Sequence, residues 1–552
     1  MSRTTRKHLQ RRTGHPFPLQ ELFELANSPE ADAADPRRLA ERVGMPVVMV
    51  RSLLSYYPDL HEDEATRVCR GTSCMLNGGR KLEQELGTYA PYQSLYCLGY
   101  CDRSPAVLAG DGRLAFGDSD ASCIAGDGLN LQPPPPPIRV LSREPIVTRR
   151  IGRGDFSNLR TARSDGAYRA LEKALALPPE LLLAAVEASG ERGRGGSGFP
   201  TGTKWRLCAE AEGEARYVVA NGDEGDPGAF IDRVLMERDP HAILEGLILC
   251  GYAVGATQGI VFIRSEYVWA REVMARAIDE ARETGVLGDS VLGTDFAFDV
   301  ICLRGTGSYV GGEETALLNA IESLRSEARV RPPYPAAEGL FGQPTVVNNV
   351  ETLVNVPFIV DRGPEAYAAL GTAASSGTKA ICLNRGFRNA GIVEIEFGLS
   401  LRKLVEEIGG GSSGDSELAA VLVGGPTGSV VFPQEWDVPI CYDALRASGI
   451  ELGHGGVIAL HADADVRELL LSWLTFFHEE SCGKCVPCGL GSKKALELVA
   501  TAAETDDGER LTALLRLIET ASLCGFGQRL PVPVLKLLER FGTDALRPGG
   551  TT

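Results

Sequence analysis

The segment Arg192-Gly-Arg-Gly-Gly-Ser-Gly-Phe-Pro-Thr-Gly-Thr-Lys-Trp205 satisfies G-x-G-x-x-G through Gly193, Gly195 and Gly198. A dinucleotide fingerprint of that kind has to follow a strand and open a helix. Here the preceding residues, Pro179 to Ala188, carry helical apolar spacing, so the loop is not the phosphate turn of a Rossmann βαβ unit. Glycines at this density still let a backbone approach a flat or phosphorylated ligand. Arg194 and Lys204 supply positive charge for phosphate in the same stretch as the aromatics Phe199 and Trp205.

Around the loop, residues 151–370 alternate helical patterns (Leu181 to Ala188, Ala270 to Thr284, Glu313 to Leu324) with β-branched runs (Tyr217 to Ala220, Gly259 to Ile263, Phe298 to Leu303). That alternation predicts a layered α/β domain, Rossmann-like but without the G-x-G-x-x-G turn. Ala242 to Ile263 is apolar yet contains Glu245, Gln258 and four glycines, and reads as a buried helix running into a strand, not a membrane span. Residues 371–455 turn strand-rich with one helix (Leu401 to Ile408), as in a small α+β module, and residues 456–552 are helical. On the other side, Pro133 to Pro137 is a run of five prolines that stiffens a linker at 131–150. Residues 1–130 combine apolar helical spacing at 16–58, expected as a helical hairpin, with short strand-like pieces and four cysteines.

A chain of 552 residues has room for about three to four domains, each with its own core. Its 44% hydrophobic and 23% charged residues exclude fibrous and wholly disordered classes. The formal charge of -17 argues against a protein that coats nucleic acid. The basic N-terminus is not followed by an apolar h-region, so no secretory signal is expected and the compartment is read as cytoplasmic and reducing. Fourteen cysteines then read as metal ligands and buried thiols instead of disulfides.

The strongest local signal is Ser481-Cys482-Gly-Lys-Cys485-Val-Pro-Cys488, with Cys524 in Ser-Leu-Cys524-Gly-Phe-Gly-Gln. Three thiolates at C-x2-C-x2-C spacing with a distant fourth are the pattern of a 4Fe-4S cluster. A structural zinc site, which usually takes two separated C-x2-C pairs, is the competing reading. The second set is Cys69-Arg-Gly-Thr-Ser-Cys74 with Cys97-Leu-Gly-Tyr-Cys101. Two such pairs can grip a 2Fe-2S cluster with one pair per iron; zinc, or four inert thiols left by a lost cluster, are the alternatives. Cys123, Cys208, Cys250, Cys302, Cys382 and Cys441 are isolated and read as small buried hydrophobes.

Three further segments need a common account: Asn221-Gly-Asp223-Glu224-Gly-Asp226-Pro-Gly, Tyr309-Val-Gly-Gly312-Glu313-Glu314, and Pro344-Thr-Val-Val347-Asn348-Asn349-Val-Glu351-Thr352. In this order, together with the glycine loop and the C-terminal cysteines, they resemble the NADH-binding flavoprotein (51 kDa-type) subunit of respiratory complex I over roughly residues 150 to 540. The N-terminal lobe resembles the thioredoxin-like 2Fe-2S (24 kDa-type) subunit of the same complexes. Their fusion in one chain is similar to the diaphorase subunit of NAD-reducing hydrogenases and to the beta subunit of NAD-dependent formate dehydrogenases. Asp226, the segment Arg264-Ser-Glu-Tyr, Asp437-Val-Pro and Gly453-His-Gly-Gly456 look more like the formate dehydrogenase branch.

The resemblance implies FMN held by the Gly193 to Gly202 loop, Asn221, Asp223, Glu224, Tyr309, Gly312, Glu313, Glu314, Asn348 and Asn349, with Phe199 and Asp226 near the nicotinamide. The cofactor-binding set implied in this way also takes in Arg194, Gly195, Gly196, Gly198, Lys204, Arg331, Val347 and Thr352. It implies a β-grasp (SLBB) module at about 375–450 and a partner catalytic subunit, most often with a further iron-sulfur subunit. Three departures stand out. The family's Lys-Pro-Pro-Phe-Pro is Arg331-Pro-Pro-Tyr334-Pro, Glu-Gly-Lys-Arg-Gly is Glu322-Ser-Leu-Arg325-Ser, and Leu207 replaces a Phe that stacks on adenine. A Lys to Arg change alters donor geometry at the dinucleotide end.

The implied activity is that of an NAD(H):FMN oxidoreductase relaying single electrons through its clusters to or from a partner, expected to be a formate dehydrogenase. The alternatives are a hydrogenase partner, a complex-I-like or electron-bifurcating assembly, and an electron-transfer scaffold that no longer takes a dinucleotide. Hydride transfer requires positioning alone, so no residue is expected to act as acid, base or nucleophile.

Overall fold

Proline and capping residues divide the N-terminal region into more pieces than its apolar spacing suggests. The structure is a computed structural model, described over residues 17–27, 35–57, 60, 66–88, 91–117, 133–502 and 506–546. Three short helices, Pro18–Ala26, Pro36–Arg42 and Val47–Leu54, stand where a two-helix hairpin was expected. Asp35 caps and Pro36 starts the second helix, while Pro46 precedes the third, so each proline begins a helix instead of continuing one. Leu22, Val50, Tyr57 and Leu60 close their shared core. Cys123 lies outside the described residues.

The first cysteine set sits on a mixed sheet of β1 (Thr66–Cys69), β2 (Tyr92–Leu95), β3 (Ala106–Leu108) and β4 (Leu114–Phe116) in the order β2-β1-β3-β4. β1 runs parallel to β2 and antiparallel to β3. Past the prolines, β5 (Ile138–Val140) falls inside the span expected to be linker, yet it pairs with a strand more than 250 residues away.

The glycine loop belongs to a domain whose sheet is wholly parallel: β6 (Tyr217–Gly222), β7 (Gln258–Ile263), β8 (Asp299–Arg304) and β9 (Thr345–Asn349), in the order β8-β7-β6-β9. Both faces are covered, which is why these strands read as unbroken apolar runs. Ile260 and Phe262 pack toward Leu317 and Leu318 of the helix Glu314–Ile321, whereas Val261 and Ile263 face the helix Pro240–Val254. That last helix and β7 are the buried helix and strand expected over Ala242 to Ile263. Gly246 sits where it crosses the helix Val350–Arg362: a Cβ there would lie 2.1 Å from the Leu353 carbonyl oxygen, so any side chain would force the two helices apart.

A second sheet contains β10 (Thr378–Leu383), β11 (Gly391–Glu396), β12 (Leu418–Val423), β13 (Ser429–Val431) and β14 (Gly456–His461), with β5 at its edge, in the order β13-β12-β14-β10-β11-β5. β14 starts one residue past the boundary expected at 455 and sits centrally, between β10 and β12. The C-terminal region packs Val466–Glu479, Val486–Thr501, Asp506–Ala521 and Pro531–Phe541 around Trp473, Leu515, Ile518 and Leu537. Among the described residues no helix is long and apolar enough to cross a membrane.

Candidate functional site

In the parallel sheet the chain steps from β6 outward to β7 and β8 and then returns to the other side of β6 as β9. The order reverses between β6 and β9, and ligands of open α/β sheets bind outside the carboxyl ends of strands at such a point. A cavity of about 390 Å³ opens there. Asn221, next to last in β6, pairs with Asn349 at the end of β9, and both line it. The glycine loop arrives from before the sheet, and Gly195 lies so close to Asn349 that a Cβ would stand 3.0 Å from the asparagine Cβ. Gly198 has φ +60° and would drive a Cβ to 2.9 Å from the Tyr442 ring, so only glycine fits the turn.

Of the residues singled out in the sequence, Gly195, Gly196, Asn221, Asp223, Asp226, Tyr309, Gly312, Glu313 and Asn349 line this cavity. Asn221 Nδ2 donates to the Gly312 carbonyl (2.9 Å), and its Oδ1 accepts from the Asp223 N–H (3.0 Å), which joins two of the motifs. Glu313 caps the helix Glu314–Ile321 by accepting from the N–H groups of Thr315 and Ala316. Asn349 caps Val350–Arg362 by accepting from those of Glu351 and Thr352. Two helix N-termini therefore converge on the cavity, a setting that favours negative charge.

Others of the set stand behind this wall. Glu224 is buried and accepts from the Asp232 and Arg233 N–H groups. Asn348 accepts from Trp205 Nε1, Thr352 Oγ1 accepts from the Arg194 N–H, and the Val347 and Gly193 carbonyls accept from Lys204 and the Tyr442 hydroxyl. Lys204 and Arg331 both pair with Glu314. Phe199 is 45% exposed, with Leu207 and Tyr334 also exposed. Arg194 departs from the expectation of a phosphate cation. Its guanidinium is fully buried, paired with Glu191, bonded to the Tyr367 hydroxyl and Ser376 carbonyl, and set over the Phe397 ring.

Several lining residues were not expected at this site because they come from other modules: Gly424, Thr427, Arg446, Glu451 and His454 from the region of the second sheet, Phe526 and Arg529 from the C-terminal helices, with His454 and Phe526 quoted above only as parts of other motifs. Short turns of this kind carry no spacing signal. Asp223, Asp226 and Glu313 line the cavity together with Arg446, Arg529 and His454, so it presents both acidic and basic groups.

Burial pushes the Asp223 carboxyl up to about 8, despite the opposing pull of Arg264. Burial likewise raises Asp226 to about 7, against the His454 charge. Asp223 Oδ2 and Arg529 Nη2 are buried without hydrogen-bond partners. An unsatisfied acceptor and an unsatisfied donor on one cavity fit a ligand that carries both kinds of group, as FMN does.

The C-terminal cysteine set adjoins this cavity, and the N-terminal set adjoins residues behind its wall. Phe526, two residues from Cys524, forms part of its wall and packs against Tyr309 at 5.4 Å between ring centroids. The Tyr309 N–H donates to Glu480, next to the cysteine loop, at 2.8 Å. Cys488 is pushed up to about 12 by burial first and then by the neighbouring Cys485, Cys524 and Cys482. In the N-terminal lobe Cys97 and Cys101 hold their sulfurs 3.8 Å apart, and the Cys74 thiol bonds to Cys69 and lowers it to about 7. A tetrahedral zinc with bonds of about 2.3 Å would place all four sulfurs about 3.8 Å from one another. Among the described residues neither set brings three sulfurs within 4.8 Å of one another. The N-terminal pairs reach the cavity wall through Tyr267, whose hydroxyl donates to Glu224 and lies against Gly99.

Residues 186–358 match the Nuo51 FMN-binding domain, and residues 468–547 match the NADH-ubiquinone oxidoreductase-F iron-sulfur binding region. The F 2 subunit of NADH-quinone oxidoreductase from Rhizobium meliloti is 42% identical over 406 residues, covering 73% of this chain and 96% of that protein. The chain belongs to the NADH-binding flavoprotein family of complex I. NADP-reducing hydrogenase subunit HndC of Solidesulfovibrio fructosivorans, another relative, is 39% identical over 406 residues, covering 72% of this chain and 82% of that protein. A solved chain of an NAD+-reducing NiFe-hydrogenase in its H2-reduced state aligns with TM-score 0.82 and 28% identity over 98% of this chain and 94% of its own length. Like its NADH-binding flavoprotein relatives, this chain is an NAD(H)-dependent flavin and iron-sulfur oxidoreductase subunit, with FMN and a 4Fe-4S cluster among its cofactors. The relatives favour the hydrogenase and complex I branches, and the expected formate dehydrogenase partner finds no support among them.

Proposed function

We propose that this chain is the diaphorase subunit of a hydrogenase-type assembly, exchanging hydride with NAD(H) and passing single electrons to or from a partner catalytic subunit. The observation that carries the reading is the likeness to a chain of an NAD+-reducing NiFe-hydrogenase over 98% of this chain and 94% of that one. The fused N-terminal lobe falls within that match.

In this reading Gly195, Gly196, Asn221, Asp223, Glu313 and Asn349 hold FMN, which supplies the exchange between two-electron hydride chemistry and one-electron chemistry. The glycines give the ring close backbone approach, Asp223 offers it a hydrogen-bonding oxygen, and the two helix N-termini favour added negative charge. Phe199, Leu207 and Arg331 form the outer, dinucleotide side, and the protein's part in hydride transfer is to position the nicotinamide and exclude water. Tyr309 and Phe526 separate the cavity from Cys482, Cys485, Cys488 and Cys524, the ligands of the 4Fe-4S cluster. Cys69 with Cys74 and Cys97 with Cys101 hold a 2Fe-2S cluster, one pair per iron, on the Glu224 side.

Anaerobic addition of NADH to the purified holoprotein tests this reading. Bleaching of the visible flavin band is the expected result. A band that stays unchanged with NADH but bleaches with dithionite would instead identify an electron-transfer scaffold without dinucleotide binding. Nickel, molybdenum and tungsten analysis of the co-purified complex then separates a hydrogenase partner from a formate dehydrogenase.

A further inference from the structure

His454 lies in the turn that leads into β14, two residues past Leu452, and lines the cavity. Its Nε2 sits 2.9 Å from Asp232 Oδ2, 3.1 Å from Asn349 Nδ2 and 3.8 Å from Glu224 Oε1. Asp232 is fully buried on the helix Ile231–Arg238, so its carboxylate has the imidazole ring and Asn349 as its polar neighbours on this side. Nδ1 has no hydrogen-bond partner among the described residues, and the side chain, 11% exposed, lines the cavity.

The other charged groups around the ring are Glu224, Asp226 and Lys379. Lys379, paired with Glu351, still pulls the imidazole down, but Asp232 and Glu224 outweigh it. Burial alone would pull the imidazole down, but Asp232 outweighs it and raises the group to about 9.

We propose that His454 is a fixed cation in the wall of the flavin cavity, clamped through Nε2 by Asp232, that sets the redox balance of the bound FMN by favouring its reduced form. The inference rests on the FMN reading above. Accepting a hydride adds one negative charge to the occupant of the cavity, and an imidazolium at the wall stabilises that added charge more than it does the neutral oxidised ring. Asp232 keeps the charge on His454 across the neutral range, and the asparagine that caps the neighbouring helix donates to the same Asp232 oxygen and holds that carboxylate in place.

The test is the FMN midpoint potential of the holoprotein, measured by spectroelectrochemistry at pH 7 for wild type, His454→Gln and His454→Lys, with oxidised FMN affinity measured alongside. His454→Gln is expected to weaken binding of reduced relative to oxidised FMN about tenfold, a drop of about 30 mV for a two-electron couple, and His454→Lys to recover most of it. The gap between wild type and His454→Gln should close above about pH 9, where the imidazolium loses its proton. A ratio changed less than threefold, or one equally changed by the lysine variant, overturns the proposal while leaving FMN binding intact. Failure of the wild-type protein to hold FMN would instead refute the underlying functional reading. Should His454→Gln fail to fold, the wild-type curve decides: its slope is expected to steepen by about 30 mV per pH unit over about one pH unit above pH 9 and then to return, and an unchanged slope rejects the idea.

Discussion

Lys379 and Glu351 form an ion pair with both side chains at 0% exposure, joining β10 of the second sheet to the first turn of the helix that Asn349 caps. Burial alone would lower the ammonium, but the Glu351 charge outweighs it and holds Lys379 above its ordinary value. In Lys379→Met the Glu351 carboxylate keeps only the Ala380 N–H, at 2.9 Å. Removing one partner of a buried pair generally costs about 3–5 kcal/mol. A carboxylate stranded in this way takes up a proton instead, and for a glutamate of reference pKa about 4.3 that costs about 3.5 kcal/mol at pH 7, which caps the loss. At about 2–4 °C per kcal/mol for a domain of this size, the corresponding fall in Tm is about 7–14 °C. Differential scanning calorimetry at pH 7 and pH 5 measures it. The loss should shrink to about 1 kcal/mol at pH 5, where protonation is cheap. Lys379→Met with Glu351→Gln should recover much of the stability at pH 7. A loss below about 1 kcal/mol at pH 7, or one of equal size at both pH values, would refute the reasoning.

Gly198→Ala places a Cβ against Tyr442 in a backbone conformation that suits glycine, and should lower FMN content of the purified protein at least tenfold with an unchanged far-ultraviolet spectrum. Cys488→Ser should remove about four irons per chain and the corresponding EPR signal while leaving flavin bound, and Cys97→Ser should remove about two; iron analysis reads both. Asp223, pushed up to about 8, and Asp226 and Glu480, each raised to about 7, hold protons in the folded state that the unfolded chain releases above about pH 4. Thermal stability of the flavin-free protein should therefore fall as pH rises from about 4 to 8, and Asp223→Asn should flatten the upper part of that slope.

The sequence was legible wherever one element carried its own signal. The helix before the glycine loop, the parallel strands and the C-terminal cysteine spacing could each be read from local pattern, and the structure has the helices and strands near the expected positions. Arg194 was misread because proximity to a glycine loop says nothing about which way a side chain turns, and its partners Glu191 and Tyr367 span nearly 180 residues. His454, Arg446 and Arg529 could not be placed at the cavity because long-range docking of the second sheet and the helical bundle puts them there. The edge strand β5 escaped notice because three residues after a proline run show no period.

That small strand ties down the chain just past the prolines, through a parallel ladder of Ile138, Arg139 and Val140 against Ile392, Val393 and Glu394. Seen this way, the proline run is less a swivel than a short strap fastened at its far end. Arg103 holds its near side by donating to the Pro134 carbonyl at 2.9 Å. The spacing between the N-terminal thiols and the cavity is then fixed by the architecture, and a cluster held by those thiols, as proposed above, would keep one distance from the flavin at every turnover.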